Sequence, residues 1–281
     1  MHCIMRYAKW KTGLNIESEF LKSLTFLNDI FGLICKNYGS DREEYYRRMV
    51  NFQNTYQYEN FINSSVKRMV TAVSSLNMST WRKASKKATK NPLFYRELMR
   101  EINEELENDI NSQVIENAAL IRTLPSDVAG KVLYDIRDYT FEGYRASDIS
   151  ALIKEKTDKH AKASERLIAR TEVSKTTTAL TKARSENLGI NWYVWRTVLD
   201  GLRVRKSHRI MEGVLVNWNM PPSPERLVGE KDVGNYHAGN IWNCRCYPEP
   251  LISVDDIRWP HKIYINGRIE NMSKKEFEKF L

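Results

Sequence analysis

Tyr193-Val194-Trp195, then Asp200-Gly201-Leu202-Arg203-Val204-Arg205-Lys206-Ser207-His208 with Gly213 soon after, and finally Gly239-Asn240-Ile241-Trp242-Asn243-Cys244-Arg245-Cys246 decide how this chain is read. They gather a carboxylate, an imidazole, clustered guanidinium groups and two thiols among strand-forming aromatics and turn-forming glycines. Residues 192–198 alternate with period two and close on Asp200-Gly201, which predicts a strand and a turn. Residues 213–218 predict a second strand, and Pro221, Pro222 and Pro224 force an extended loop. Asn266-Gly267 at the centre of residues 262–269 predicts a hairpin. Ser273 followed by Glu276 predicts a capping box before a final short helix.

Upstream the period changes to that of helices. Phe20, Leu24, Leu27, Phe31 and Ile34 form one apolar stripe over residues 18–37, ended by Gly39, the pattern of a core-facing helix. Asp41 with Glu44 reads as the next helix start, continued by Tyr45, Met49, Phe52 and Tyr56. Leu124-Pro125-Ser126-Asp127 punctuates the chain, because proline biases the residue before it away from helix and Ser126 or Asp127 can cap the next helix. We therefore place a domain boundary there: a helical N-terminal domain at 1–125 and a second domain at 126–281. Within the second, residues 126–190 read as helices, with turn chemistry around Gly143, a start at Ser147 or Asp148 and a further helix over 160–187. Residues 191–281 read as α+β. The fold class expected is mainly α with a C-terminal α+β domain built on a small antiparallel sheet.

Composition bounds the partners. Lys and Arg total 44 against 35 acidic residues, a formal charge of +9. That balance suits polyanions without proving one. No run approaches the roughly 18 apolar residues of a membrane span, so no membrane partner is expected. The first ten residues lack an apolar signal region, and the four cysteines are too few for a secreted disulfide framework. The expectation is a soluble protein made in the cytoplasm. Arg82, Lys83, Lys86, Lys87 and Lys90, interleaved with Trp81, Phe94 and Tyr95, make a segment able to neutralise phosphates and stack on bases. The alternative is a solvated helical face that meets the acidic run at 101–109.

The order Arg170-Thr171-Glu172, Tyr193 and Trp195, Asp200, Arg203 or Arg205, His208, Gly213, Asn243-Cys244-Arg245-Cys246 and Pro248 resembles the signature of the phage head morphogenesis family, the Mu F-like minor head proteins. The resemblance covers roughly residues 124–251. It implies a minor capsid protein of the virion, inside the capsid and associated with the portal protein. It also implies contact with packaged double-stranded DNA without sequence preference, a part in head morphogenesis or genome ejection, and scaffold or major capsid protein as further partners. Assembly would take place in the host cytoplasm.

The residues of this region admit more than one chemistry. Cys244 and Cys246 share a face if the chain is extended there, and two thiolates could bind zinc if His208 and His237 or Asp200 completed the ligands. Their one-residue spacing is tighter than most structural zinc sites use, and buried packing cysteines beside Trp242 are the alternative. Arg170, Glu172, Asp200, Arg205, His208, Asn243 and Arg245 are expected to form a structural polar core. Arg170 or Glu172 would pin its helix to the sheet, and Arg205 would clamp Asp200 or a helix C-terminus. Thr176, Thr177 and Thr178 define no motif. Arg203, Lys206 and Arg209 form a basic patch suited to phosphate. The rival reading is a metal-dependent nuclease assembled from Asp200, His208 and Glu212; no Walker loop, nucleophile elbow or zinc-deaminase pattern is present, and no catalytic residue is assigned.

Overall fold

A computed structural model describes residues 10–11, 13–88, 96, 99–100, 107–141, 146–198 and 204–281. Among the described residues, seven helices of defined extent lead the chain: α1 Leu14–Thr25, α2 Leu27–Tyr38, α3 Arg42–Gln53, α4 Tyr56–Ala88, α5 Glu107–Arg122, α6 Leu124–Phe141 and α7 Ala146–Asn187. The C-terminal part continues as β1 Trp192–Arg196, α8 Lys206–Ile210, β2 Leu215–Asn217, α9 Pro224–Leu227, β3 Tyr247–Pro250, β4 His261–Ile265, β5 Arg268–Met272 and α10 Lys274–Phe277. A helical N-terminal region followed by a small α+β part is the expected class. The sheet, ordered β3-β1-β2-β4-β5, is mixed where a purely antiparallel one was expected. The exception is β2 against β4, parallel with Leu215 opposite Ile263, because the chain between them crosses over through α9 and β3 before returning to the β2 edge.

The chain divides into two compact units. One is Leu14–Thr71 with Asn111–Glu172; the other is Met1–Gly13, Ala72–Ile110 and Val173–Leu281. The boundary expected at 125/126 falls in the first turn of α6, inside the first of these.

In the first unit most of the apolar stripes are buried: Phe20, Leu24, Leu27 and Phe31 from α1 and α2, Tyr45 and Met49 from α3. Ile34 and Phe52 are half-buried, and Tyr56, expected to continue the α3 face, is exposed at the start of α4. The single helix expected over 18–37 is two, parted at Phe26. The break coincides with the hydroxyls of Ser23 and Thr25, which bond the carbonyls of Phe20 and Lys22 three residues back and so compete with the helical ladder. Asp41 caps α3 as expected, its carboxylate accepting from the amides of Glu43 and Glu44. Pro125 lies in the first turn of α6, where it sacrifices no helical hydrogen bond, so the helix opens ahead of the expected caps at Ser126 or Asp127. The two helices expected between 147 and 187 are one, α7, whose Thr157 meets the Tyr45 hydroxyl at 2.8 Å. The turn read around Gly143 lies outside the described residues.

The second unit is organised by β1, buried along its whole length. Alternation sends Trp192 and Val194 to one face, against Leu215, Ile263 and Phe277, and Tyr193 and Trp195 to the other, against Met211, Val214, Val216, Trp218, Tyr236, Cys244 and Cys246. A central strand covered on both faces has no room for polar residues, which is why its sequence is so aromatic. Arg196 ends it, its guanidinium held by Glu249 and Glu212. The β4–β5 hairpin turns at Asn266-Gly267, both at positive φ (50° and 77°), as a two-residue loop requires. Ser273 and Glu276 form the expected capping box.

Candidate functional site

The site is built on the Tyr193/Trp195 face of the sheet. The short helix α8 delivers His208, which is 2% exposed, and the approach to β3 delivers Cys244 and Cys246, 4% and 3% exposed. Asn243, at φ 56°, turns the chain immediately before the first thiol, and the half-buried Arg245 stands between the two. The Nδ1 of His208 lies 3.5 Å from Cys244 Sγ and 3.4 Å from Cys246 Sγ. Cys244 Sγ also accepts from the amide of Cys246 at 3.3 Å. All three cysteines among the described residues are free thiols.

The other edge of the imidazole is equally committed. His208 Nε2 is 2.9 Å from the Tyr236 hydroxyl, which bonds both carboxylate oxygens of Glu225 at 2.7 and 2.8 Å. Ser207 donates to the same carboxylate at 3.1 Å. Glu225, 6% exposed, sits in α9 directly after Pro224. Its loop is tied by Asp232, which accepts from Ser223, Arg226 and the Gly234 amide, and those bonds hold the Asp232 carboxyl down at about 2. A backbone bond from Tyr236 to the Pro222 carbonyl then aims the phenol inward. Trp195 covers the cluster edge-on, its ring 5.6 Å from that of His208.

Two thiols this close cannot ionise alike. Cys244 is held well below the ordinary thiol range, first by its bond from Cys246 and then by His208. Cys246 is driven well above it by the neighbouring Cys244 and by burial. The pair favours one thiolate and opposes the second.

Several expectations are corrected. His237 is absent from the cluster: its Nδ1 bonds the Tyr193 hydroxyl at 3.2 Å, the ring packs on Trp218, and burial with nearby Lys182 lowers it to about 4. Trp242 is 53% exposed and does not pack on the thiols; its carbonyl accepts from Arg205 at 2.9 Å, with that guanidinium over its ring. Arg205 thus clamps the loop 242–246; its expected pairing with Asp200 lies outside the described residues. One ion pair of Arg170 runs to Glu17 of α1 at 3.4 Å, and Glu172 is buried in α7, which neither shows nor contradicts their expected tie to the sheet. Trp81 is fully buried against Trp10, so it offers no face to a base. Arg82, Lys83 and Lys86 are exposed on α4, and Lys206 and Arg209 on α8; the backbone of Lys87 is helical. Asp200, Arg203, Lys90, Phe94 and Tyr95 lie outside the described residues. Glu212, the carboxylate of the nuclease reading, accepts from the Thr197 amide and hydroxyl and from Arg196.

Sequence reasoning missed Glu225 and Tyr236, which lie in the proline-rich loop read as a connector. It also passed over the threonines of α7: Thr178 donates to the Ala238 carbonyl at 2.7 Å, and Gly239, at φ 85°, approaches Thr178, Ser174 and the Cys246 carbonyl too closely for any side chain.

Residues 131–248 match the family model described as Phage Mu protein F like protein. That stretch runs from α6 into β3 and contains the whole cluster, so the resemblance drawn from the residues stands over the same segment. An uncharacterized protein of Haemophilus influenzae is 32% identical over 170 residues, 59% of this chain; the chain spans 34% of that relative's length. No solved structure matches.

Proposed function

We propose, from the Mu F-like segment at residues 131–248, that this protein is a phage minor head protein. In this reading it lies in the capsid interior beside the portal, binds duplex DNA without sequence preference, and aids head morphogenesis or genome ejection. The observation that carries the reading is the family match over the segment that folds into the cluster. The exposed lysines and arginines of α4 and α8 support the DNA contact, since cations on an open helical face can replace the counterions of a phosphate backbone. Against the rival nuclease stand the buried positions of His208, Cys244 and Cys246 and the commitment of Glu212 to the end of β1. A group sealed from solvent and bonded on both edges orients a fold more readily than it attacks a phosphodiester.

Mass spectrometry of purified procapsids, mature heads and ejected material tests the proposal. The protein is expected in procapsids and heads at low copy. Its confinement to host cytoplasm would overturn the reading and restore the nuclease.

A further inference from the structure

We propose that His208 Nδ1, Cys244 Sγ and Cys246 Sγ are three protein ligands of one zinc ion, held in register by the Tyr236–Glu225 pair behind the imidazole. The three donor atoms lie within 4.8 Å of one another and all three residues are buried. For a tetrahedral zinc with a sulfur ligand at about 2.3 Å and a nitrogen at about 2.0 Å, the nitrogen–sulfur edge is about 3.5 Å. The observed separations of 3.5 and 3.4 Å need almost no adjustment. As a hydrogen-bond acceptor, the single lone pair of Nδ1 serves only one of the two thiols, whereas one ion would serve the nitrogen and both sulfurs.

Charge makes the same point. Two thiolates and a neutral imidazole around a divalent cation sum to zero, so the loaded site would bury no net charge. Soft thiolate ligands with imidazole select zinc over magnesium or calcium. The far side of the ring has the arrangement a zinc-bound histidine needs: Nε2 carries the proton toward a hydroxyl that a buried carboxylate fixes, leaving Nδ1 free to bind. The one-residue spacing of the thiols, unusual for a zinc knuckle, works here because Asn243 turns the backbone before Cys244 and the Cys246 amide folds back onto the first sulfur.

The test is made on the full chain, purified without chelator. Elemental analysis should return about one equivalent of zinc, and replacement by cobalt(II) should produce the charge-transfer absorption of cobalt–thiolate bonds. Tyr236→Phe should keep the ion but weaken its binding roughly 10- to 100-fold, whereas His237→Gln should leave stoichiometry and affinity unchanged. Cys244→Ser with Cys246→Ser should abolish the cobalt band. Because that variant could fail to fold, the wild-type chain is also stripped, refolded with excess zinc and challenged with an alkylating reagent. Protection of both thiols by zinc supports the site. A refolded wild-type chain that holds no zinc, or a cobalt complex without thiolate absorption, overturns it.

Discussion

The Nε2 of His208 lies 2.9 Å from the hydroxyl of Tyr236, on the edge of the ring opposite the two thiols. That hydroxyl is anchored in turn by Glu225, so one carboxylate determines how the imidazole beyond it presents its other nitrogen. Removing the carboxylate leaves Tyr236 and Ser207 as buried groups with a lost acceptor. Glu225→Ala is therefore expected to cost about 2–4 kcal/mol of stability, read from the denaturant midpoint of the full chain. A change within about 0.5 kcal/mol would place Glu225 outside any cooperative network.

His237 gives the fold a pH dependence. Its folded value of about 4 lies below the ordinary 6.5, chiefly because burial disfavours the charged ring. The unfolded chain therefore binds the extra proton between those values, and stability falls as pH drops from 6.5 toward 4. The full shift corresponds to about 3 kcal/mol. Denaturation of His237→Gln across this window should show a flatter profile than the natural chain; parallel profiles would contradict the assignment.

Glu165 of the other unit works in the opposite direction. Burial raises it from 4.5 to about 7 despite the Asn28 amide, which donates to it at 3.3 Å. Here the folded chain holds the proton longer, so stability is present below 4.5 and is lost as pH rises through 7. Glu165→Gln retains an acceptor for Asn28 and should be the more stable form at pH 8 by on the order of 1 kcal/mol, with the gap closing in acid. A destabilised variant at pH 8 would show that the ionised carboxylate has a partner worth more than its burial costs.

How much the sequence disclosed depends on how local each cause is. The buried positions of α1 and α2, the Asp41 cap, the Asn266-Gly267 turn and the strand at Trp192 are written in residues a few positions apart, and each formed. The parallel pairing of β2 with β4 depends on where a long crossover returns, which no local pattern encodes. In the site, Cys244, Cys246 and His208 were legible because thiols and imidazoles are rare. Glu225 was not, since one glutamate among 35 acidic residues shows its role only when Ser207 and Tyr236 close on it. His237 misled for the complementary reason: it lies near Cys244 in sequence, but its ring is turned into the Tyr193–Trp218 side of the core.

The basic surface of α4 makes a separate prediction. Purified protein should bind duplex DNA with an affinity that falls steeply with salt. Reversing Lys83 and Lys86, both exposed, should make the logarithmic salt slope shallower by about 2 if each meets one phosphate. An unchanged slope would favour the alternative, a solvated face that meets the acidic run at 101–109.

The central proposal is that the residues carrying the family resemblance close a fold and do not perform a reaction. It is tested most directly by the denaturant unfolding of His208→Ala beside the natural chain, with zinc present and DNA cleavage assayed on the same samples. The account predicts a loss of about 3 kcal/mol or more, because the thiols and Tyr236 all lose a buried partner, with no cleavage by either protein. Unchanged stability together with the disappearance of a divalent-dependent cleavage activity would contradict it.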